Sequence, residues 1–246
     1  MKAIGTARAK VRPLRTLAID IGGSDIKGMV LDELGKPVSE HVRIKTPKPA
    51  TPVSVLQTIC EIAAQLATFD RISVGFPGVV RNGVTETAPN LDPSWAGVQL
   101  AREMSQRLLK PVRVANDADI QGYGAIQGRG VELVITLGTG LGSALFLNGK
   151  LVPNLEAAHH SFHKGKTYEE CLGIRAFEKS GPKRWNKSLR LAIRELEKMF
   201  NYDCLFIGGG NARKISGELP LNTKVVNNVA GLLGGIALWR DPNTSE

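Results

Sequence analysis

Apolar positions fall into short runs separated by glycine-rich turns. Residues 16–21 (Thr-Leu-Ala-Ile-Asp-Ile) form one run, which stops at Gly22-Gly23-Ser24. A second run, 26–31, follows at once and ends in an Asp-Glu-Leu-Gly turn at 32–35. Strand, Gly turn, strand predicts a hairpin. Pro47, Pro49 and Pro52 mark a loop, and apolar residues at 55, 56, 59, 62, 63 and 66 predict an amphipathic helix over 54–66. A short strand over 71–76 runs into Pro77-Gly78, and a helix is expected over 98–109. A buried strand at 112–115 ends in Asn116-Asp117-Ala118-Asp119, with a helix expected over 120–127.

The pattern then repeats. A strand at 133–136 breaks at Gly138-Thr139-Gly140-Leu141-Gly142, a partner strand occupies 143–147, and Asn148-Gly149 signals a hairpin turn. Leu189, Ala192, Ile193, Leu196, Met199 and Phe200 make one apolar stripe, so 186–200 reads as a helix. A strand at 204–207 stops at Gly208-Gly209-Gly210, and 228–239 reads as a closing helix. Two hairpins with Gly-rich turns suggest two related lobes facing one cleft, although the shared residues are too few to establish a duplication.

Composition narrows the class. The 246 residues are 42% hydrophobic and 22% charged, ordinary for a globular chain with a core. No apolar run is long enough to span a bilayer, and the basic start of the chain lacks the apolar segment of a signal peptide. Cys60, Cys171 and Cys204 are odd in number and far apart, which reads as reduced thiols in a cytoplasm. The net charge is +9, and Lys2, Arg8, Lys10, Arg12 and Arg15 carry much of the excess with no acid among the first fifteen residues. Residues 1–15 therefore read as a disordered basic tail. Net charge alone favours nucleic acid weakly, and clustered aromatics for base stacking are missing, so no nucleic-acid partner is expected.

Several segments carry candidate chemistry. Asp20 stands at a strand end beside Gly22, Gly23 and Ser24, where bare amides let an anion approach closely and the acid could hold Mg²⁺ through water. Leu137-Gly-Thr-Gly-Leu-Gly-Ser143 is a second amide-and-hydroxyl cradle. It is neither a P-loop, lacking Gly-Lys-Ser/Thr, nor a dinucleotide fingerprint, because a strand follows it. Gly208-Gly209-Gly210 is a third such loop. Asp117 reads either as a general base or as a helix cap, with Asp119 an equal candidate for the cap. Asn90, Asp92, Glu156 and His159 are loop polar groups of the kind that pair with sugar hydroxyls. His159, His160 and His163 with Glu156 could form a metal site only if four ligands converged.

In combination these segments resemble the ROK sugar kinases, most closely the polyphosphate glucokinase branch. The likeness covers residues 16–239 and rests on Asp20-Ile-Gly-Gly-Ser-Asp-Ile-Lys-Gly28, Phe76-Pro-Gly-Val-Val80, Ala88-Pro-Asn-Leu-Asp-Pro-Ser-Trp95, Asn116-Asp-Ala-Asp119, Leu137 to Ser143 and Leu151-Val-Pro-Asn154. It implies an α/β, actin-like (ribonuclease-H-like) two-lobe fold with a cleft between the lobes. The expected division is a small lobe of residues 16–117 plus 228–246 and a large lobe of 118–227. By resemblance, Asp20, Gly22, Gly23, Ser24 and Lys27 belong to the first phosphate loop, with Asp20 also at the metal. Gly138, Thr139, Gly140 and Gly142 match the second loop, and Gly208, Gly209 and Gly210 a loop near the nucleotide or phosphate chain. Asp117 matches the catalytic base for the sugar 6-hydroxyl. Asn90, Asn116, Asp117, Glu156, His159 and Glu169 match sugar-binding positions, with Glu170 competing for the last.

The sequence departs from the family at Glu156-Ala-Ala-His159, where the usual motif is Glu-any-Gly-His; if a positive φ is needed at Ala158, alanine costs about 1 kcal/mol. The Cys-rich zinc knuckle of many ROK proteins is missing, as it is in the polyphosphate glucokinases. No N-terminal helix-turn-helix is present, which speaks against a repressor. The expected function is a hexose kinase moving a phosphoryl group from polyphosphate, ATP or both to the 6-hydroxyl of glucose, with Mg²⁺, in a homodimer. The stripe Lys183, Lys187, Arg190, Arg194 and Lys198 suits a polyanion by analogy with nucleic acid, or is a solvated helix face. An ATP-only or other hexose kinase, and a non-catalytic sugar or polyphosphate sensor motivated by Ala158, stay open.

Overall fold

Two five-stranded sheets with the same strand order organise the chain. The computed structural model describes residues 12–226 and 234–240. The first sheet joins β1 (Thr16–Ile21), β2 (Asp25–Leu31), β3 (Val42–Lys45), β4 (Arg71–Phe76) and β7 (Val112–Asn116) in the order β3-β2-β1-β4-β7. Two further strands, β5 (Val80–Arg81) and β6 (Val84–Thr85), pair as a small separate hairpin. The second sheet joins β8 (Val131–Leu137), β9 (Leu141–Leu147), β10 (Lys150–Val152), β13 (Cys204–Gly208) and β14 (Thr223–Val225) in the order β10-β9-β8-β13-β14. Between them in sequence, β11 (Ser161–His163) and β12 (Lys166–Thr167) form another short hairpin.

In each sheet the first strand pairs antiparallel with the strand after its Gly turn and parallel with the strand on its other side. The repeat suggested by the two Gly turns therefore extends to the whole topology of each sheet. Both faces of each central strand are covered, which is why β1 reads as an almost unbroken apolar run.

Helices supply the cover. α1 (Pro52–Gln65) and α2 (Leu100–Leu108) pack Val55, Leu56, Ile59, Ile62, Leu100 and Met104 on one face of the first sheet. α4 (Tyr168–Leu172) and α5 (Ile174–Phe200) bury Tyr168, Trp185, Leu189, Ile193 and Leu196 against the second. α5 is interrupted at Gly181 (φ 73°), and Pro182 restarts it, a position where a missing N–H costs nothing. The short α3 (Asp117–Tyr123) contacts strands of both sheets and the 3-10 helix Gly234–Trp239. Ser73 Oγ donates to Gly235 O (2.6 Å) and accepts from Trp239 Nε1 (2.9 Å), so that closing segment is fixed on the first sheet.

Three expectations change. The helix placed at 120–127 starts three residues earlier, because Asn116 caps it through its side chain. The described part of the closing helix, Gly234–Trp239, is 3-10 rather than α, and 228–233 lie outside the described residues. Residues 12–15 of the expected tail are anchored: Leu14 N donates to Glu33 Oε1 (2.9 Å), Arg15 N to Asp70 Oδ2 (2.8 Å), and Arg12 pairs with Asp70. Residues 1–11 lie outside the described residues. Among the described residues no helix is long and apolar enough to cross a membrane.

Trp95 ties the loop of residues 88–95 to the first lobe. It is fully buried, its indole donates to Ala50 O (2.8 Å), and its ring lies 4.9 Å from that of Phe76. Trp95→Ala is expected to lower the unfolding free energy by about 3–5 kcal/mol in a urea titration.

Candidate active site

Each sheet delivers one Gly turn to a shared cleft of ≈ 470 Å³. In the first turn, Gly22 N donates to Asp25 O (3.0 Å), and a Cβ on Gly22 would lie 2.9 Å from that carbonyl oxygen. Thr46 Oγ1 and Lys48 Nζ donate to the carbonyls of Gly22 (2.6 Å) and Gly23 (3.2 Å). The carbonyls are thus engaged, while the amides of Gly23 and Ser24 donate to no described group. Asp20, next to the end of β1, pairs with its cross-strand partner Lys27 (3.0 Å).

The second turn repeats the arrangement. Gly138 O accepts from Asn211 Nδ2 (2.7 Å) and Ile174 N (3.2 Å), and Thr139 O from Ile174 N (3.3 Å). The amides of Thr139 and Gly140 again donate to no described group. Bare amides at two turns, with their carbonyls turned away, make a cradle for an anion with several oxygens. Gly209 (φ 88°) and Gly210 complete the wall; a Cβ on Gly209 would fall 2.3 Å from Leu137 O. Gly208 does not join them, being the buried last residue of β13.

Asp117 opens α3 at the floor of the cleft. The cap is neither Asp117 nor Asp119 but Asn116, whose Oδ1 accepts from the amides of Ala118 (2.7 Å) and Asp119 (3.4 Å). Asn116 Nδ2 donates to Gly78 O (3.1 Å) and Glu156 Oε1 (3.2 Å). Burial, reinforced by the charges of Asp20 and Glu156, pushes the Asp117 carboxyl up to about 7. An acid tuned to that range is a proton acceptor matched to neutral pH. Burial also pushes Glu156 up, with Glu169 adding to the effect and His159 opposing it; His159 Nε2 lies 3.9 Å from Glu156 Oε2.

The cleft gathers Asp20, Gly22, Gly23, Ser24, Lys27, Asn90, Asn116, Asp117, Gly138, Thr139, Gly140, Gly142, Glu156, His159 and Glu169. Glu169, not Glu170, faces it: Glu170 is exposed and closes a capping box with Thr167. Asp92 is a cap as well, accepting from Ser94 N (2.9 Å). Sequence reasoning missed Lys48, Gln121 and Arg175. Lys48 lies in a segment read only as a loop. Gln121 stands one turn beyond Asp117 on a helix whose start was misplaced. Arg175 precedes the part of α5 that periodicity revealed. The basic stripe on α5 does not line the cleft; Lys198 pairs with Glu195 (3.2 Å) and Arg190 donates to Ser216 O (3.2 Å). Among the described residues no three His, Cys, Asp or Glu side chains are grouped to hold a metal, so the His159–His163 cluster is not one.

One further contact joins the lobes. Asn154, at φ 60°, pairs its side-chain amide in both directions with the backbone of Val80 (3.1 Å each), and its own amide donates to Asp119 Oδ2 (3.4 Å). Asp119 is buried, and desolvation pushes it up to about 8.

Comparison with known proteins identifies the family and the fold. The ROK family profile matches residues 16–160. The chain belongs to the ROK family. It is 36% identical over 234 residues to a polyphosphate glucokinase of Mycobacterium tuberculosis (strain ATCC 25618 / H37Rv), covering 88% of each chain. To the polyphosphate glucokinase of Mycobacterium leprae (strain TN) it is 34% identical over 237 residues, covering 89% of this chain and 73% of that protein. Among solved structures it matches the inorganic polyphosphate/ATP-glucomannokinase of Arthrobacter sp. strain KM with a TM-score of 0.83 and 35% identity, over 92% of this chain and 99% of that one. A ROK family glucokinase of Streptomyces griseus, solved with glucose and AMPPNP, matches with a TM-score of 0.74 at 23% identity, a likeness of fold. The actin-like two-lobe architecture expected from the sequence is thus the fold of this ROK protein.

The departure at Ala158 carries no strain. Ala158 lies in the 3-10 turn Ala157–His159, is absent from the residues with positive φ, and buries its methyl in the second lobe's core. Ala158→Gly is therefore expected to leave the glucose KM within about twofold while lowering stability by about 0.5–1 kcal/mol, read from steady-state kinetics and denaturant unfolding.

Asp117 supplies a second test. Its carboxyl titrates higher in the folded chain than in the unfolded one, so the fold favours the protonated acid, and ionisation destabilises the fold as pH rises from about 4 to about 7. Asp117→Asn is expected to raise the melting temperature at pH 8 while reducing turnover by at least about 100-fold. In the unmodified protein, kcat/KM is expected to fall as pH drops through about 7.

Proposed function

We propose that this ROK protein is a hexose kinase that transfers a phosphoryl group from inorganic polyphosphate or ATP to the 6-hydroxyl of glucose. One observation carries the reading: a carboxylate tuned to about 7 lies in one cleft with two turns that each leave two amides without a partner among the described residues. The proteins named above at 34–36% identity, a glucomannokinase and polyphosphate glucokinases, support both the acceptor class and the two donors.

In this reading Asp117 accepts the 6-hydroxyl proton as the hydroxyl oxygen bonds to the terminal phosphorus. The bond to the bridging oxygen breaks, and ADP or a shortened polyphosphate leaves. Gly23, Ser24, Thr139 and Gly140 amides hold the donor phosphates, and Lys27, Lys48 and Arg175 offset their charge. Asn90, Glu156, His159 and Glu169 hold the hexose hydroxyls, while Asn116, whose carboxamide is already engaged by Ala118, Asp119, Gly78 and Glu156, orients Glu156 and Asp117 instead of bonding the sugar.

Asp20 lines the cleft beside the first phosphate turn, and among the described residues no group of three His, Cys, Asp or Glu side chains encloses it. That fits Mg²⁺, which binds through one or two carboxylates together with substrate phosphates and water. Bound there, the ion would neutralise phosphate charge. The small lobe would comprise residues 16–117 with the returning C-terminal segment, the large lobe 118–227, and their closure would exclude water. The protein would work in the cytoplasm as a homodimer, as the family implies. The sensor alternative rested on Ala158, and its unstrained turn removes that ground.

Glucose 6-phosphate formation with Mg²⁺ is the test, with long-chain polyphosphate and ATP offered separately. Turnover with polyphosphate, alone or beside ATP, is the expected outcome. Turnover with ATP alone would remove polyphosphate from the reading. No transfer with either donor, to glucose or mannose, would overturn it.

A further inference from the structure

We infer that Glu169 is a positioning residue that couples occupancy of the hexose pocket to the shape of the donor loop at Gly138–Gly140. The inference rests on the kinase reading of the cleft. Glu169 Oε2 accepts a hydrogen bond from Leu141 N (3.2 Å), the first amide after the loop. The approach is so close that a Cβ on Gly140 would lie 2.0 Å from the same oxygen. The carboxylate thus fills the space that a side chain at Gly140 would occupy.

The backbone where α4 passes into α5 also holds the loop. Glu169 sits in the first turn of α4, and Gly173 N at its end donates to Glu169 O (2.8 Å). Gly173 packs so tightly that a Cβ there would meet Thr139 O at 2.9 Å, and Ile174 N donates to the carbonyls of Gly138 and Thr139. α4 also packs against the 3-10 turn that carries His159. Glu169 is also near enough to Glu156 to influence its charge. The short, capped helix that carries Glu169 therefore touches the proposed sugar contacts, and the Gly173–Ile174 junction that follows it holds the donor loop.

The consequence is a linkage. A hexose hydroxyl donating to Glu169 fixes the carboxylate and, through Leu141 N, the orientation of the neighbouring bare amides of Thr139 and Gly140. Donor binding then meets a preorganised cradle, and by reciprocity bound donor tightens hexose.

The experiment uses 6-deoxyglucose, which lacks the reacting hydroxyl, so donor and hexose can be titrated together without turnover. Donor dissociation constants for ATP and polyphosphate, each with Mg²⁺, are measured by calorimetry with and without saturating 6-deoxyglucose. In the unmodified protein the hexose is expected to tighten whichever donor is used by about fivefold or more. Glu169→Ala is expected to bring that ratio close to one, with folding checked by thermal melting. Glu169→Gln keeps an oxygen for Leu141 N and is expected to retain most of the coupling. Gly140→Ala, a change in the donor loop, is expected to raise the glucose KM by displacing the carboxylate. A ratio unchanged in Glu169→Ala, or donor affinity lowered equally with and without hexose, would overturn the coupling. Unmodified protein that binds both ligands without mutual effect would also overturn it while leaving the kinase reading intact. Protein that binds neither would overturn the kinase reading itself.

Discussion

The side-chain amide of Asn116 is the joint on which the site depends. Its oxygen accepts from two amides of the first turn of α3, and its nitrogen donates to Gly78 O and to Glu156. All the hydrogen-bonding capacity a carboxamide ordinarily uses is engaged, so its orientation is fixed. Through it the end of β7, the start of α3, the Pro77–Gly78 turn and the Glu156 loop of the second lobe keep one geometry. Asp117 follows directly and has its place in the cleft determined by that cap.

Around this joint the molecule repeats one device. Two sheets of equal strand order each send a Gly turn into the cleft, with carbonyls satisfied by the protein and two amides bonded to no described group. The carbonyls are held by residues remote in sequence: Thr46 and Lys48 for the first turn, Asn211 and Ile174 for the second. An unpartnered buried amide is costly, and these are tolerated because they face a cleft open to water or to an anionic ligand.

The cleft also mixes acidic and basic groups. Asp20, Asp117, Glu156 and Glu169 line it together with Lys27, Lys48 and Arg175, and Lys27 pairs with Asp20. Burial, reinforced by repulsion from Asp20 and Glu156, lifts the Asp117 carboxyl to about 7, which suits a group that must exchange a proton near neutral pH. Asp119 is pushed up chiefly by burial as well, yet it accepts from the Asn154 backbone and does not line the cleft.

The sequence by itself determined the strands, most helices and the composition of the cleft, because these are local matters. Apolar runs, Gly turns and a helical stripe are written at fixed spacing, and the combined segments carried the family. Tertiary structure decided what spacing could not. The start of α3 depends on which of Asn116, Asp117 and Asp119 turns back to cap, a choice that Gly78 and Glu156 make from distant positions. Glu169 and Glu170 are adjacent and chemically alike, and only the Thr167 capping box turned one outward and left the other against Gly140. Ala158 looked like a strained substitution until its turn proved helical, since φ at one residue is set by its packing and not by its neighbours' names. Lys48, Gln121 and Arg175 entered the cleft for the same reason: the chain specifies elements locally, but a site between two lobes exists only after both have packed.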